Sequence, residues 1–411
     1  MDVLIDRCAG LDVHQKTVAA CVRRPGPGKQ REEEVRTFRT FSADLAALAD
    51  WLAGEGVTDV AMEATGVYWK PVWYALEGRF ELVLANARHV KALPGRKTDV
   101  RDSAWLAQLL ECGLLRTSFV PPPLVRELRD LTRYRKRLIQ ARTSEAQRVE
   151  KVLEDANIKL AAVASKTLGV SGRSMLDALI DGERDPDVLA SLARGRLRAK
   201  HDDLASALVG RFDAHHAFML QGLLDHLDYL AATIARLDEA IASRTEHHRQ
   251  ALDRLATIPG VGQRAAEVIV AEIGFDMAQF PSAAHLASWA GMCPGNNESA
   301  GKRFTGKTRK GDAWLRGVLA ECAWAAARTK DTYLSAQFWR LARRIGRQKA
   351  AIAVGHGILV IAYYVLRDEA DYRELGGDFF VRRTDTEFLQ RRLVRQLEQL
   401  GNRVVLEPIE G

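Results

Sequence analysis

The sequence has 411 residues but only five cysteines, and these make no Cys-x-x-Cys pair. An odd, scattered set of this kind predicts reduced thiols in a cytoplasm. Acidic residues stand near the N-terminus, where a signal peptide has its apolar core, and no apolar run approaches membrane-spanning length. We therefore expect a cytoplasmic protein with no membrane partner.

Acidic residues are also fewer than basic ones. The sequence has 60 Lys and Arg residues against 53 Asp and Glu, a formal net charge of +7. This balance favours a polyanionic partner without proving one, because excess charge also keeps proteins soluble. The length is sufficient for two or three domains with a sizeable core.

Residues 8–115 alternate between strand and helix patterns. Three strands in succession, followed by helix, strand, helix and strand, predict a mixed sheet with helices on its faces. The predicted strands are 8–13, 17–22, 34–41, 57–62 and 81–85, and the predicted helices are 44–53 and 68–76.

The remainder of the chain is predicted to be helical. Prolines at 121–123 break the first pattern, and apolar residues then recur at helical spacing from Leu124 to Leu153. A second helix carries Leu or Ile at alternating steps of three and four from Leu220 to Ile241, the spacing of a coiled coil. It is expected to pair either with 124–153 or between chains.

We therefore predict an α/β domain followed by all-α regions. Short helices and turns are expected to connect the two long helices over residues 165–210. The predicted boundaries are 1–120 for the mixed-sheet domain, 121–250 for a helical and coiled-coil region, 251–368 for a helical domain and 369–411 for a charged tail.

Four acidic residues are candidate metal ligands. Asp12 and Glu63 follow apolar strand-like runs, and Asp99 and Asp102 lie three apart, on one face of a helix. Phosphodiester chemistry with paired Mg²⁺ needs hard oxygen ligands from several strand ends. Each residue alone is better explained as a turn acid or a helix cap, but the set in this strand order favours a metal site.

A glycine-rich, basic segment, 294–316, contains a single serine, Ser299. Its hydroxyl could attack a phosphate, and neighbouring cations would stabilise the developing charge. The alternative is a loop that only holds nucleic-acid phosphates electrostatically. The cations are Lys302, Arg303, Lys307, Arg309, Lys310 and Arg316.

Two further elements suit nucleic-acid backbone. Gly260 and Gly262 lie in Ile-Pro-Gly-Val-Gly before a predicted helix, which is similar to a helix-hairpin-helix element; a tight helix connection is the alternative. The helix after the prolines is strongly basic, which favours phosphate contacts over a merely solvated face. Its candidate residues are Arg126, Arg129, Arg133, Lys136 and Arg137.

Together these motifs resemble the DEDD-type insertion-sequence transposases, the bridge-RNA-guided recombinases, which are similar also to Piv-type DNA invertases. The resemblance extends to about residue 366. It is carried by Gly10-Leu11-Asp12-Val13-His14, Met62-Glu63-Ala64-Thr65-Gly66, Lys97-Thr98-Asp99-x-x-Asp102-Ser103, Ile258-Pro259-Gly260-Val261-Gly262, Gly291-Met292-Cys293-Pro294, Ser299-Ala300-Gly301-Lys302 and Lys310-Gly311.

The resemblance implies a RuvC-like, ribonuclease-H-like N-terminal domain, a coiled-coil middle and a helical transposase domain. Asp12, Glu63, Asp99 and Asp102 would hold Mg²⁺, with Mn²⁺ as a substitute, and Ser299 would become covalently joined to DNA. The implied partners are donor and target double-stranded DNA, a non-coding guide RNA and further copies of the chain, as a homodimer or homotetramer. The protein would be bacterial and would associate with the nucleoid when active.

Two other functions use parts of the same sequence. A metal-dependent, structure-specific endonuclease would use the four acids without Ser299. A non-enzymatic nucleic-acid-binding protein would use only the basic surfaces. A serine joined to DNA distinguishes the recombinase from both.

Overall fold

The computed structural model describes residues 3–28, 30–64, 66–85, 90, 102–294, 297–299, 302–305, 308, 310–382 and 386–406. For 297–299, 302–305, 386–389 and 392 it describes the backbone alone. Three predicted site residues, Asp99, Lys307 and Arg309, lie outside the described residues. The chain divides into two units, Met1–Val120 and Pro121–Gly411.

A five-stranded mixed sheet forms the centre of the first unit, as the sequence predicts. Its strands are β1 (Cys8–Val13), β2 (Thr17–Pro25), β3 (Arg31–Arg39), β4 (Asp59–Glu63) and β5 (Glu81–Ala85). They lie in the order β3-β2-β1-β4-β5. The β1–β2 and β2–β3 pairs are antiparallel, whereas β1–β4 and β4–β5 are parallel. Parallel neighbours need a crossover, which explains the helices between β3, β4 and β5.

Helices cover both faces of this sheet. They are α1 (Ser42–Gly54), α2 (Trp69–Leu76) and α3 (Asp102–Glu111). On one face, Leu11 and Met62 pack with Leu48 of α1 and Leu76 of α2. On the other face, Cys8 and Ala61 pack with Leu110 of α3. Alternate residues of β1 and β4 therefore face different helices.

The second unit is almost entirely helical in its described part. A hairpin of β6 (Asn297–Ser299) and β7 (Lys302–Thr305) interrupts the helices. The helices are α4 (Pro123–Asp155), α5 (Leu160–Val163), α6 (Val170–Ile180), α7 (Pro186–Ser191), α8 (His201–Leu208), α9 (Ala214–Thr245), α10 (Arg249–Ala256), α11 (Gln263–Ile273), α12 (Ala283–Trp289), α13 (Ala313–Ala326), α14 (Tyr333–Ile345), α15 (Arg347–Arg367), α16 (Phe379–Arg382) and α17 (Thr386–Gln399).

The two long helices α4 and α9 lie side by side and antiparallel. Near one end, Arg244 Nε of α9 lies 2.9 Å from a carboxylate oxygen of Glu127 in α4. Near the other, His216 Nε2 lies 3.1 Å from Asp155. The leucines and isoleucines predicted as a coiled-coil seam include Leu220, Leu227, Leu230, Ile234 and Ile241, all buried. Of the two pairings expected, the structure has the one within the chain.

Each end of the helix pair has its own core. At the end near Asp155, the short helices α5 to α8 pack with Leu153 and Leu220 in one apolar cluster. At the other end, Leu128 and Ile241 pack with Ala271 of α11. The segment between the long helices therefore forms a small helical lobe rather than a simple connection.

One helix in the described chain, α15, is long and apolar enough to cross a membrane by length and composition. This corrects the expectation that no apolar run approaches that length. In the most apolar stretch of this helix, 56% is buried inside the protein, and this burial accounts for the apolar composition without a membrane.

Candidate functional site

Asp12 and Glu63 are neighbours at the carboxyl ends of two parallel strands. Leu11 of β1 pairs with Met62 of β4, so Asp12 and Glu63 follow one position further along. Because Leu11 and Met62 face α1 and α2 and side chains alternate along a strand, both carboxylates face the opposite side. Asp12 Oδ2 also lies 3.1 Å from His14 Nε2.

Helix α3 covers the face that carries both carboxylates. A Cβ atom at Gly10, two residues before Asp12, would lie 2.2 Å from the Ser103 carbonyl oxygen and 2.4 Å from the Ala107 amide nitrogen. Only glycine allows so close an approach of strand and helix. Asp102 is the first residue of α3, directly before Ser103. The contact at Gly10 therefore places Asp102 on the same sheet face as Asp12.

The far end of α3 is held by buried charges. Glu111, its last residue, accepts a hydrogen bond from Arg23 Nε at 3.1 Å and lies 2.6 Å from Arg31 Nη2. Burial, and secondarily the Glu111 carboxylate, raises the pKa of the nearby Cys8 thiol to about 12. Cys8 therefore stays protonated at neutral pH, which argues against a role as ligand or nucleophile.

The chemistry of the acidic set fits a hard divalent cation, because every member supplies carboxylate oxygens. The structure brings Asp12 and Glu63 together and sets α3, with Asp102, over the same face. Within the described ranges, which omit Asp99, no three or more His, Cys, Asp and Glu side chains form a group that could hold a metal ion.

Ser299 lies at the end of β6, in a short antiparallel hairpin. Its backbone pairs with that of Lys302, the first residue of β7, so Ser299 belongs to the last described pair of the hairpin. Further from the turn, Glu298 pairs with Arg303, and an isolated bridge joins Pro294 to Thr308. We call residues 294–308 the serine hairpin. The pairing places the backbone of Ser299 at the hairpin's tip.

Tight packing holds the base of the serine hairpin next to α13. A Cβ at Gly311 would lie 2.3 Å from the Ala290 carbonyl oxygen, so glycine is required there. Asp312 caps α13 by accepting a hydrogen bond from the Leu315 amide at 2.8 Å. Arg316 Nη1 donates to Thr308 Oγ1 at 3.4 Å, which joins the first turn of α13 to the hairpin.

A buried ion-pair network connects this region to α4. Glu272 of α11 is fully buried, and both its oxygens accept hydrogen bonds from Arg133 at 2.7 Å. Arg129 Nε lies 2.9 Å from the same carboxylate, and Arg133 also reaches Asp312 at 3.2 Å. Burial opposes the charge on Arg133, but its hydrogen bonds to Glu272 and the nearby negative charges of Glu272 and Asp312 together outweigh this effect and raise its pKa. The network couples α4, α11 and the N-cap of α13.

These contacts show which residues of the basic helix have partners within the protein. Arg129 and Arg133, predicted to contact nucleic acid, both pair with Glu272, and Arg133 also pairs with Asp312. Lys136 lies 2.6 Å from Glu321 on the surface, and the Arg137 guanidinium lies 5.5 Å from the centre of the Trp314 ring. Arg126 is half-buried and also has a partner. The inner face of α4 lines a groove of about 630 Å³ between α4, α11 and α13.

The two glycines of the turn before α11 have different surroundings. Gly260 has a φ of +88°, and a Cβ there would lie 2.3 Å from the Cys322 carbonyl oxygen of α13. Gly262 is the N-cap of α11 and has no atom within 4 Å of a built Cβ. Gly260 therefore packs the turn against α13, and the open side of the turn is at Gly262. Lys310 is exposed, and Arg316 is half-buried.

The sequence reasoning missed Gly10, Glu111 and Glu272, which position the candidate groups. Gly10 carried a usable signal, since glycine inside a strand often marks a close backbone approach. Glu111 and Glu272 carried none, because their arginine partners lie far away in the sequence.

Comparison with known proteins gives two family matches. A family model of DEDD transposases of the IS110 type, described as a transposase, matches residues 9–158. A second, described as the transposase IS116/IS110/IS902 family, matches residues 252–340. Together they cover more than half of the chain, including the acidic sheet and the serine hairpin.

Three relatives are similar to this chain in sequence. The 42 kDa protein of insertion element IS900 from Mycobacterium paratuberculosis is 26% identical over 71% of this chain and 80% of its own length. The 43.6 kDa protein of insertion element IS110 from Streptomyces coelicolor is 25% identical over 70% of this chain and 75% of its own. The pilin gene-inverting protein of Moraxella bovis is 36% identical, over only 18% of this chain and 24% of its own.

An α/β unit with neighbouring strand-end acids, followed by a basic helical unit with these matches, defines an insertion-sequence transposase, for which DNA is the substrate. The chain belongs to the IS110-type transposases.

Proposed function

We propose that this transposase cuts and rejoins DNA through a covalent bond between Ser299 and a DNA phosphate. The observation that carries the proposal is the position of Asp12 and Glu63 at neighbouring strand ends, on the sheet face covered by α3. Such a face suits a metal site that binds phosphate. The serine hairpin would supply a hydroxyl that keeps the cut DNA end attached to the protein. We propose that both act in one reaction, and that the first unit is RuvC-like.

The acids would hold the metal. Asp12, Glu63, Asp99 and Asp102 would supply its carboxylate ligands, as oxygen donors suited to Mg²⁺ or Mn²⁺. The bound ion would neutralise charge on the scissile phosphate. Gly10 and Glu111 would hold Asp102 in place through the two contacts that fix α3.

The serine would retain the broken DNA end. The Ser299 oxygen bonds to the scissile phosphorus while the bond from phosphorus to one sugar oxygen breaks. The serine proton is transferred to the released sugar oxygen, which leaves as a hydroxyl. One phosphodiester thus replaces another, so attack by a second sugar hydroxyl can rejoin the DNA without ATP.

Several basic groups would bind the nucleic acids. Lys302, Arg303, Lys307, Arg309, Lys310 and Arg316 adjoin Ser299 in sequence and would hold phosphates near the crossover. The open turn at Gly262 would contact duplex backbone. A structured guide RNA, paired with donor and target DNA, would choose the sites, since backbone contacts alone carry no sequence information.

The decisive experiment tests for a protein–DNA adduct. With element-end DNA, target DNA and the RNA transcribed beside the gene, wild-type protein should yield an adduct that survives denaturation and maps to Ser299. Ser299→Ala should abolish the adduct and recombination while changing DNA affinity less than about threefold. The control Ser144→Ala, at an exposed serine of α4, should behave as wild type.

The outcome separates the alternatives. Recombination by Ser299→Ala at the wild-type rate would refute the nucleophile. Mg²⁺-dependent cleavage without any adduct would identify a structure-specific endonuclease instead. Binding without cleavage in wild type would identify a non-enzymatic nucleic-acid-binding protein.

A further inference from the structure

A second concentration of positive charge lies where α14 meets α15. Gly346 joins the two helices with a φ of +82°, so the chain turns sharply between them. Four exposed cations flank this glycine: Arg343 and Arg344 in the last turn of α14, and Arg347 and Lys349 in the first turn of α15. We call these four residues, with the exposed Trp339, the arginine corner.

The charge of the arginine corner is not balanced locally. Residues 332–367 contain no Asp or Glu. None of the four cations has a carboxylate oxygen within 4 Å in the part of the chain that the structure describes. The cations of α4 differ, because Arg129, Arg133 and Lys136 are each paired with an acid. Two of the corner's cations also begin α15, where the helix dipole disfavours positive charge.

Trp339 fixes this corner relative to α13. Its indole Nε1 donates to the carbonyl oxygen of Ala327, at the C-terminal end of α13, at 3.0 Å. The guanidinium of Arg347 lies 5.5 Å from the centre of its ring. The serine hairpin adjoins the opposite end of α13, and this helix of 14 residues spans about 20 Å.

We propose that the arginine corner binds the phosphate backbone of duplex DNA beside the crossover. The proposal rests on the strand-transfer function proposed for the serine hairpin. A separation of about 20 Å corresponds to about six base pairs, since successive base pairs rise 3.4 Å. A duplex engaged at one end of α13 is long enough to reach the other. The chemistry is that of several guanidinium groups with no acidic partner among the described residues, and such groups form charge-assisted hydrogen bonds with phosphate oxygens.

Salt-dependent DNA binding tests this assignment. The triple variant Arg343→Glu, Arg344→Glu, Arg347→Glu is compared with a control of equal charge change, Lys166→Glu, Arg196→Glu, Arg211→Glu, at exposed cations of the helical lobe. Affinity for a 30-base-pair DNA duplex is measured from 50 to 300 mM NaCl. The logarithm of the affinity falls linearly with the logarithm of the salt concentration, and each cation–phosphate contact contributes roughly 0.9 to that slope. The corner variant loses three such contacts, so its slope should be smaller than that of the wild type by roughly two to three.

Two further comparisons and a folding control complete the experiment. The control should keep the wild-type slope, and Arg343→Lys, Arg344→Lys, Arg347→Lys should retain most of it, because charge is preserved. Thermal melting shows that each variant is folded. A wild-type slope in the corner variant, or a reduction confined to an RNA hairpin, would overturn the proposal. Because binding needs neither Ser299 nor the acids, this result is independent of the adduct experiment.

Discussion

Gly10 shows how a residue without functional groups positions a site. The sequence pattern placed Asp12 and Glu63 at strand ends correctly, because period-two burial and turn residues identify strands locally. It did not predict which side chains face α3, since that depends on the strand order and on the contact between Gly10 and α3. Asp99 and the Ser299 side chain lie outside what the structure describes, so their roles stay predictions.

Adding one methyl group at Gly10 tests this contact. Gly10→Ala should lower the free energy of unfolding by about 1–3 kcal/mol, because its Cβ overlaps the Ser103 carbonyl and α3 must move. If α3 carries Asp102 away from Asp12, Mg²⁺-dependent DNA cleavage should also fall. Urea unfolding and a nicking assay measure the two effects.

Gly54 is a matched control, because a Cβ there meets nothing within 4 Å at the end of α1. Gly54→Ala should be neutral or stabilise by no more than about 1 kcal/mol. Equal stability of the two alanine variants would contradict the close packing at Gly10.

At the scale of elements, the helices were largely predictable and their partners were not. Apolar spacing predicted a helix over 124–153, and the structure has α4 over Pro123–Asp155. The same spacing in α9 fits pairing within or between chains, and only the contacts decide. The basic residues of α4 suggested a nucleic-acid surface, but Glu272 and Asp312 lie far away in sequence and their pairing with Arg133 could not be foreseen.

Removing the buried acid should therefore cost much more than removing an exposed one. Glu272→Ala leaves Arg129 and Arg133 without their shared carboxylate and should lower the free energy of unfolding by about 3–5 kcal/mol. Glu321→Ala breaks the exposed pair with Lys136 and should cost at most about 1 kcal/mol. Chemical denaturation of both variants gives the comparison, and similar destabilisation by both would show that the Glu272 network contributes little.

At the scale of the molecule, the acids and Ser299 belong to different units of the chain. We propose that the acids of one copy of the chain act with the Ser299 of another copy. A mixture of Asp12→Ala protein and Ser299→Ala protein should then recover part of the recombination activity, although each variant alone is inactive. Mixed assemblies would contain some sites with both intact groups.

The mixing experiment measures the amount of recombination product over a range of ratios of the two variant proteins. Activity should peak near equal amounts of the two variants and vanish for either alone. No activity at any ratio, with both variants folded and able to bind DNA, would mean that the acids and the serine must come from one chain.

The antiparallel pair of α4 and α9 forms a long, rigid connection within the second unit. Its 33-residue helix spans about 50 Å, roughly the length of 15 base pairs of DNA, and ion pairs near both ends hold the two helices in register. Shortening both helices by the same whole number of heptads would bring the helical lobe inward while preserving the seam. Shortening one alone would slide leucines against charged residues. The distance between the helical lobe and the far end of the helix pair is therefore set by both helices together. Evolution can change it only by matched insertions or deletions in two separate stretches of the gene.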